Sequence, residues 1–374
     1  MKILLIRLRL IGDVVFTTPA ITALRRHFPA ASITYLVERA AEPVVRHNQH
    51  LTEVVVAERP RGLRRLIYDL GLAWRLRRER FDLVIDFHGG PRSAWLTRAT
   101  GAAERIGYNS PGRAWAYTIR RPWTRALIPP RHSVESQWDL LVPLLGVAPP
   151  DPDRTPVEMP EDAVAARAIR QRLSDAGVDE RARIVVIHVS AGNPFRRWPA
   201  EHFAFVAASL AREDLSRRII ITSGPSESGA ADGIAARAQE LAGEAGPRIV
   251  RCGEFDLSEL RALVGCAALF IGGDSGPMHI AATTTVPVVA LFGPTLPERS
   301  MPWRTARTRA IAVDAGPLPC RPCHQRHCLP GDFRCLTRVK PERVVMAAEH
   351  LLTTDPSGPG APSGDLYRAP SRDA

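Results

Sequence analysis

The residues with most chemical potential in this chain sit in short, glycine-containing loops. Phe270-Ile271-Gly272-Gly273-Asp274-Ser275-Gly276-Pro277-Met278-His279 combines three glycines with an acid, a hydroxyl and a histidine. Glycine lets backbone N–H groups approach a ligand closely, and a helix opening after it leaves N–H groups unpaired, which suits a diphosphate. Asp274 or Ser275 can cap that helix and Pro277 suits its first turn, so the same residues also fit a capped helix holding a buried His279. His188-Val189-Ser190-Ala191-Gly192-Asn193 is followed by Arg196-Arg197-Trp198-Pro199 and offers a hydroxyl, a small-residue backbone and guanidinium groups for phosphate oxygens. In Ser223-Gly224-Pro225-Ser226-Glu227, Glu227 is placed to bind two ribose hydroxyls. In Arg9-Leu10-Ile11-Gly12-Asp13, Gly12 is expected to turn the chain tightly. Asp13 then either caps the next helix or takes a proton from an incoming hydroxyl. No glycine fingerprint of the dinucleotide type occurs there, which argues against NAD or FAD.

A second cluster is made of sulfur. Cys320-x2-Cys323-x4-Cys328-x6-Cys335 places four cysteines in sixteen residues, with His324 and His327 among them. In a reducing compartment this density points to a structural zinc site, with disulfides or free thiols as the alternatives. Cys252 and Cys266 are expected in the core.

These loops need elements to hold them. Apolar, β-branched runs predict strands over 2–7, 32–37, 51–56 and 81–87, and again over 183–189, 218–222, 248–251, 268–271 and 287–292. Helical spacing predicts helices over 14–28, 162–175, 201–212, 230–243, 257–264 and 278–283. Leu63, Leu66, Ile67, Leu70 and Trp74 mark one face of a further helix, expected to pack on the sheet with arginines outward. Strand and helix alternate, which argues for α/β domains with parallel sheets. The proline-rich segment 149–160 reads as a linker between a domain of residues 1–150 and one of residues 151–352. Residues 353–374 are rich in Pro, Gly and Ser and are expected to form a disordered tail. In open parallel sheets ligands gather at the carboxyl ends of strands, and each loop singled out above follows a predicted strand.

Composition narrows the classes. The chain has 374 residues, 45% hydrophobic and 24% charged, enough for two soluble domains with real cores. No run of about 18 uncharged apolar residues is present, so no transmembrane helix is expected. The N-terminus lacks a signal-peptide pattern, so a cytoplasmic location is expected. The net charge of +11 is uneven. Residues 1–150 carry 23 Lys+Arg against 12 Asp+Glu, and residues 151–374 carry 27 against 27. A basic first domain implies a polyanionic partner, either nucleic acid or an anionic membrane surface. Arg59, Arg61, Arg64, Arg65, Arg75, Arg77, Arg78 and Arg80 concentrate around one helix, whose polar face would suit an anionic leaflet.

Taken together, KILLIRLRLIGDVVFTTPAI, FDLVIDFHGG, RIGY, HVSAGN, RRWP, SGPSE, GGDSGPMHIAA and VPVVALFGPT resemble glycosyltransferase family 9, the lipopolysaccharide heptosyltransferases, over roughly residues 1–352. The resemblance implies a GT-B fold: two Rossmann-like domains whose parallel sheets face an interdomain cleft, with a lipid acceptor on the first and ADP-heptose on the second. It assigns Asp13 as general base. Ser190, Arg196, Glu227, Asp274, Ser275, Gly276 and His279 go to the donor, and Gly12, His88 and Arg92 to the acceptor. Arg196 stands where many members have lysine, a change that keeps the charge and adds a fork of donors. The implied reaction is inverting transfer to a lipid A-type lipopolysaccharide precursor, without a catalytic metal or other cofactor and without nucleic acid. Asp151-Pro152-Asp153 has the form of a metal-binding DxD but lies in the linker and is discounted. Two alternatives stand beside this one. A GT-B transferase for another nucleotide sugar or acceptor has the same loops. A nucleic-acid-binding protein would use the basic domain and the cysteines, but leaves the phosphate loops of the neutral half without a purpose.

Overall fold

The computed structural model describes residues 1–123, 130–146 and 148–354. The chain divides into two compact units, Met1–Pro160 and Glu161–Ala374. Residues 355–374 of the expected tail lie outside the described residues, and Thr353 ends the last helix.

The first unit is built on strands β1 (Lys2–Ile6), β2 (Ser32–Glu38), β3 (Glu53–Ala57), β4 (Leu83–Asp86), β5 (Glu104–Tyr108) and β6 (Ile119–Arg121). They form one sheet in the order β3-β2-β1-β4-β5-β6, each neighbouring pair parallel. Central strands of a parallel sheet are covered on both faces, so they read as unbroken apolar runs. Ile3 to Ile6 and Leu83 to Ile85 are fully buried and pair in register, Ile3 beside both Ile33 and Leu83. The chain reverses between β3 and β4, which puts the switch point of the strand order between β1 and β4.

Helices of this unit are α1 (Ile11–Val15), α2 (Thr18–His27), α3 (Leu63–Arg78), α4 (Pro91–Ala99), α5 (Ser133–Trp138) and α6 (Val142–Leu145). The helix expected over 14–28 is thus two. Pro19 has no N–H for the Val15 carbonyl, and the Thr17 and Thr18 hydroxyls donate instead to Val14 O at 2.6 Å and Val15 O at 2.8 Å. The first piece starts early, at Ile11, so Gly12 lies inside a helix and makes no turn. Residues 151–160, read as a linker, are tied onto this unit. Glu158 N donates to Thr18 Oγ1 at 2.8 Å, Arg26 Nη1 donates to Arg154 O at 3.1 Å, and Val157 and Met159 are buried.

Helix α3 is turned the opposite way from expectation. Leu63, Leu66, Ile67, Leu70 and Trp74 are between 53% and 81% exposed. Its inward face is Leu72, Ala73 and Leu76, packed on Leu4, Ile6, Leu36 and Val84. Asp69 lies on the same inward face, where Arg92 Nη2 reaches its Oδ1 at 2.6 Å and Nε donates to it at 3.0 Å. The helix has two apolar faces, and the one joined to a buried ion pair is the one that docks. Turning the other face inward would take Asp69 away from the buried Arg92 and leave it only Glu38 as an acid partner.

The second unit repeats the plan. Strands β7 (Arg183–His188), β8 (Arg217–Thr222), β9 (Ile249–Val250), β10 (Leu269–Gly273), β11 (Val288–Phe292) and β12 (Ala310–Asp314) form a parallel sheet in the order β12-β11-β10-β7-β8-β9. Here the switch point lies between β7 and β10. Helices α7 (Ala163–Asp175), α8 (Ala200–Glu213), α9 (Ser228–Ala242), α10 (Leu257–Gly265), α11 (Gly276–Ala281), α12 (Pro297–Ser300), α13 (Arg334–Thr337) and α14 (Pro341–Thr353) accompany it. The core is aliphatic, with Val185, Ile187, Ile219, Ile221, Ile271 and Val289 meeting the alanine-rich face of α8 and the inner face of α14. Cys252 is only half-buried, and Cys266, the residue that ends α10, is exposed; neither is a core residue. The thiol is displaced because Leu260, Leu263 and Val264 already fill the inward face of α10.

Candidate active site

Loops at the switch point of the second sheet converge on one carboxylate. Asp274 follows β10 and is 3% exposed. Its backbone N–H donates to Leu291 O at 3.0 Å, which fixes the turn. Thr295 Oγ1, from the loop after β11, donates to Asp274 Oδ2 at 2.6 Å. Arg196 Nη1, from the loop after β7, lies 3.1 Å from the same oxygen and donates to Asp274 O at 2.9 Å. His279 Nε2, from α11, lies 3.4 Å from Oδ1. Burial pushes this carboxyl up. His279, Arg196 and Thr295 outweigh that and hold it down at about 2. Asp274 is therefore a fixed negative charge that orients Arg196, whose side chain stays 28% exposed. Arg196 Nε and Asn193 Nδ2 both donate to Gln325 Oε1, at 2.7 and 2.9 Å.

Around this centre the backbone is bare. A side chain at Gly272 would meet Phe270 at 2.8 Å, and one at Gly273 would meet Arg196 O at 3.4 Å. Ser275 is the residue before α11, but its hydroxyl makes no capping bond and is buried without a hydrogen-bond partner among the described residues. Ser223 Oγ, after β8, is in the same condition. Two orphaned hydroxyls at the carboxyl edge of one sheet are what a bound polar ligand would satisfy. Helix α11 has only six residues, so charge at this site comes mainly from Arg196 and local N–H groups.

Ser190 and Glu227 are engaged within the protein. Gly224 N donates to Ser190 Oγ at 2.8 Å, and His188 Nε2 lies 3.0 Å from the same oxygen. Burial pushes His188 down to about 4, so it is neutral near pH 7, and its Nε2 and Nδ1 bond the Ser190 and Thr222 hydroxyls, the latter at 3.0 Å, one nitrogen donating and the other accepting. The Ser190 hydroxyl thereby links the ends of β7 and β8. Glu227 forms an ion pair with Arg197 Nη2, and Arg197 Nε donates to Ala191 O at 3.1 Å. Sequence reasoning gave no role to Thr295 or Gln325, and named Arg197 and Ser223 only as members of their loops. Thr295 and Gln325 meet Asp274 and Arg196 from 21 and 129 positions away, and only the fold brings them together.

In the first unit, residues at the β1–β4 switch point gather around Asp13. It is the third residue of α1 and caps nothing. The side chain is 8% exposed and is paired with the Arg7 guanidinium, which also donates to Phe87 O at 2.5 Å. Gln137 Nε2 donates to Asp13 O at 3.2 Å. His88 Nδ1 lies 3.2 Å from Arg9 O; burial first, then the Arg7 charge, pushes its imidazole down to about 4. His88 is thus neutral near pH 7 and shares a local field with Asp13. Asp86 shapes the loop that carries it. Its Oδ1 accepts from His88 N at 2.9 Å and Gly89 N at 3.0 Å, and its Oδ2 accepts from Tyr117 OH at 2.7 Å. Arg92 is taken up elsewhere. Besides Asp69 it reaches Glu38 Oε1 at 3.2 Å and donates to Glu58 O at 2.7 Å, so its guanidinium is spent on joining α4 to α3, β2 and β3.

The four clustered cysteines are free thiols lining one pocket of about 730 Å³, with Phe195, Pro294, His324 and His327. Burial and the other three thiols push Cys335 up to about 11. Among the described residues no three His, Cys, Asp or Glu side chains are arranged to hold a metal ion. The thiols are neighbours that do not converge.

Residues 70–332 match the family model described as glycosyltransferase family 9 (heptosyltransferase). The chain belongs to glycosyltransferase family 9. Among its relatives, the lipopolysaccharide heptosyltransferase 3 of Escherichia coli K12 is 31% identical over 95% of this chain and 97% of its own length. The crystal structure of a family 9 glycosyltransferase from Veillonella parvula is 25% identical, with a TM-score of 0.77 over 94% of this chain and 97% of that one. The E. coli ADP-heptose LPS heptosyltransferase II shares the fold at 21% identity, with a TM-score of 0.72 over 94% of this chain and 98% of that one. This family 9 enzyme therefore has the GT-B fold of two Rossmann-like units; its Asp13, in the short helix after β1, and its Arg196 and Asp274, in loops after β7 and β10, lie at the carboxyl ends of strands, where such sheets bind ligands.

Proposed function

We propose that this enzyme transfers a heptose from ADP-heptose to the inner core of a lipid A-type lipopolysaccharide precursor, with inversion and without a catalytic metal. Heptose transfer in lipopolysaccharide core assembly is supported by the near full-length relation to heptosyltransferase 3. The observation that carries the chemistry is the Asp274 constellation, a buried carboxylate holding Arg196 in a bare-backbone loop beside two unpartnered hydroxyls. Arg196 and the N–H groups of residues 275–276 take the diphosphate; Asp274, His279 and Thr295 position them. Ser223 and Ser275 donate to donor oxygens. Glu227 receives ribose hydroxyls, and binding exchanges its Arg197 partner for them. Ser190 acts through the Gly224 turn that it holds.

Asp13 is the general base. It removes the proton from the acceptor hydroxyl, whose oxygen attacks the anomeric carbon as the bond to ADP breaks. The pair of electrons leaves with the diphosphate and is stabilised by Arg196. Gly12 lets the acceptor approach α1 closely, and neutral His88 hydrogen-bonds to it. The basic first unit takes an anionic inner-membrane surface as a further partner, and no nucleic acid. The four cysteines are assigned a structural zinc ion, on the strength of their spacing and their shared pocket. Cys320, Cys323, Cys328 and Cys335 would hold the ion, and their sulfurs would have to come together from the positions they occupy as free thiols. About one zinc per chain in protein purified without chelator is expected; none removes this assignment.

Thermal shift with ADP-, UDP- and GDP-sugars tests the donor. Stabilisation by ADP-heptose and ADP, and none by the UDP or GDP compounds, is expected. The reverse preference would assign the loops to another nucleotide sugar.

A further inference from the structure

We propose that the outward face of α3 is a docking surface that lies in the plane of an anionic lipid bilayer. This deepens the membrane-surface partner named above and rests on that reading. Five of the large apolar side chains exposed among the described residues, Leu63, Leu66, Ile67, Leu70 and Trp74, stand on this one helix. At about 100° per residue they fall within one stripe roughly 100° wide, and the buried Leu72 and Leu76 lie on the opposite side. A contiguous stripe of this size on a surface is a binding feature.

The occupant is indicated by charge. Arg64 and Arg78 follow one edge of the stripe, with Arg75 beyond them and paired with Glu53 Oε1 at 2.8 Å; Arg77 continues the line of the stripe past Trp74, and Arg61 stands at its amino end. The acids of residues 59–80 are Asp69, buried under Arg92, and Glu79, paired with Lys2. The Arg78 guanidinium sits 4.5 Å above the Trp74 ring, an apolar body with a cationic tip. Such a face buries its stripe at the boundary of headgroup and acyl chain and offers its arginines to lipid phosphates. A second copy using the same face by two-fold symmetry would bring arginines against arginines. No helix among the described residues is long and apolar enough to cross a membrane, so α3 lies on the bilayer and does not span it. Its orientation is built in, because the Arg92–Asp69 pair locks the other face inward.

Co-sedimentation of the full chain with phosphatidylethanolamine vesicles, with and without phosphatidylglycerol, tests the proposal. Binding is expected to require phosphatidylglycerol and to fall with salt. The variant Leu66→Gln/Ile67→Gln/Leu70→Gln is expected to bind at least about tenfold more weakly. Arg64→Gln/Arg75→Gln/Arg78→Gln is expected to lose the preference for phosphatidylglycerol while keeping its fold. Heptose transfer to a deacylated, water-soluble acceptor is measured alongside and is expected to be unchanged in both variants. Unchanged transfer without vesicle binding by the parent protein overturns the docking surface alone. Absent transfer with vesicle binding that the glutamines abolish leaves docking intact and refutes the acceptor. Equal binding by parent and glutamine variant, or a parent dimer that the glutamines turn into monomers with no vesicle binding, also overturns it.

Discussion

At the residue scale, each reactive group owes its state to one or two neighbours. Asp274 stays ionised although buried because Thr295, Arg196 and His279 face it. Thr295→Val leaves one carboxylate oxygen short of a donor and loosens Arg196. ADP affinity measured by calorimetry is expected to drop by about threefold to tenfold, less than the full value of a hydrogen bond to a charged group because Thr295 acts on ADP only through Asp274 and Arg196. Unchanged affinity would remove Thr295 from the site. Asp86→Ala strands the His88 and Gly89 N–H groups and the Tyr117 hydroxyl. Urea denaturation is expected to show a loss of about 1–3 kcal/mol, and a change below about 0.5 kcal/mol would contradict the role given to Asp86. His188 and His88 are held neutral, down at about 4 from an ordinary 6.5. As pH falls below 6.5 the unfolded chain takes up protons that the folded one refuses, so stability falls, and the loss is complete near pH 4. Asp274 adds a second loss between about pH 4 and 2, where its protonation in the unfolded chain precedes that in the folded one. Denaturation midpoints between pH 7 and 4 are expected to fall, and to fall less in His188→Gln. Asp13, Asp274, Arg196 and His279 drew attention in the sequence because each belongs to a glycine-bearing stretch after an apolar run. Arg7, Thr295 and Gln325 were not, since Gln325 meets Arg196 from 129 positions away and no local pattern announces that.

At the scale of elements, periodicity identified most strands of both sheets and several of the helices between them, though not Pro91–Ala99 or Pro341–Thr353, and it did not show which way a helix faces. Leu63, Leu66, Leu70 and Trp74 form the stronger-looking stripe of α3, yet the weaker stripe, Leu72, Ala73 and Leu76, is buried. What decides is Asp69, whose partner Arg92 comes from another helix. Leu76→Ala is therefore expected to cost about 2–5 kcal/mol, whereas Leu66→Ala stays within about 0.5 kcal/mol of the parent in the same denaturation experiment. Comparable losses would mean that the helix is turned the other way. β5, Glu104–Tyr108, escaped sequence reasoning because Glu104, Arg105 and Gly107 break its apolar run, and the edge strands β6 and β12 escaped it for a related reason. β6 is three residues long and carries Arg120 and Arg121; β12, Ala310–Asp314, alternates small and β-branched residues after an arginine-rich stretch. Both are edge strands, where one open flank relaxes the demand for apolar residues.

At the scale of the whole molecule, a basic unit and a neutral one share one strand order, and each bears its reactive residues at its own switch point. The duties proposed for them differ with their chemistry: a carboxylate base and an arginine-edged apolar stripe on the first, a guanidinium held in a glycine-bearing loop on the second. Hydrogen exchange with saturating ADP is expected to protect amides of residues 188–196, 222–227 and 272–279, and to leave residues 7–15 unaffected. Protection confined to the first unit would reverse the division of labour. The most direct measurement is heptose transfer and ADP affinity in parallel for Asp13→Asn. Transfer is expected to be lost by a factor of about 100 or more with ADP affinity within about twofold of the parent, as for a group that acts in the chemical step and not in donor binding. Near-native turnover by Asp13→Asn would contradict the assignment of this carboxylate as the base.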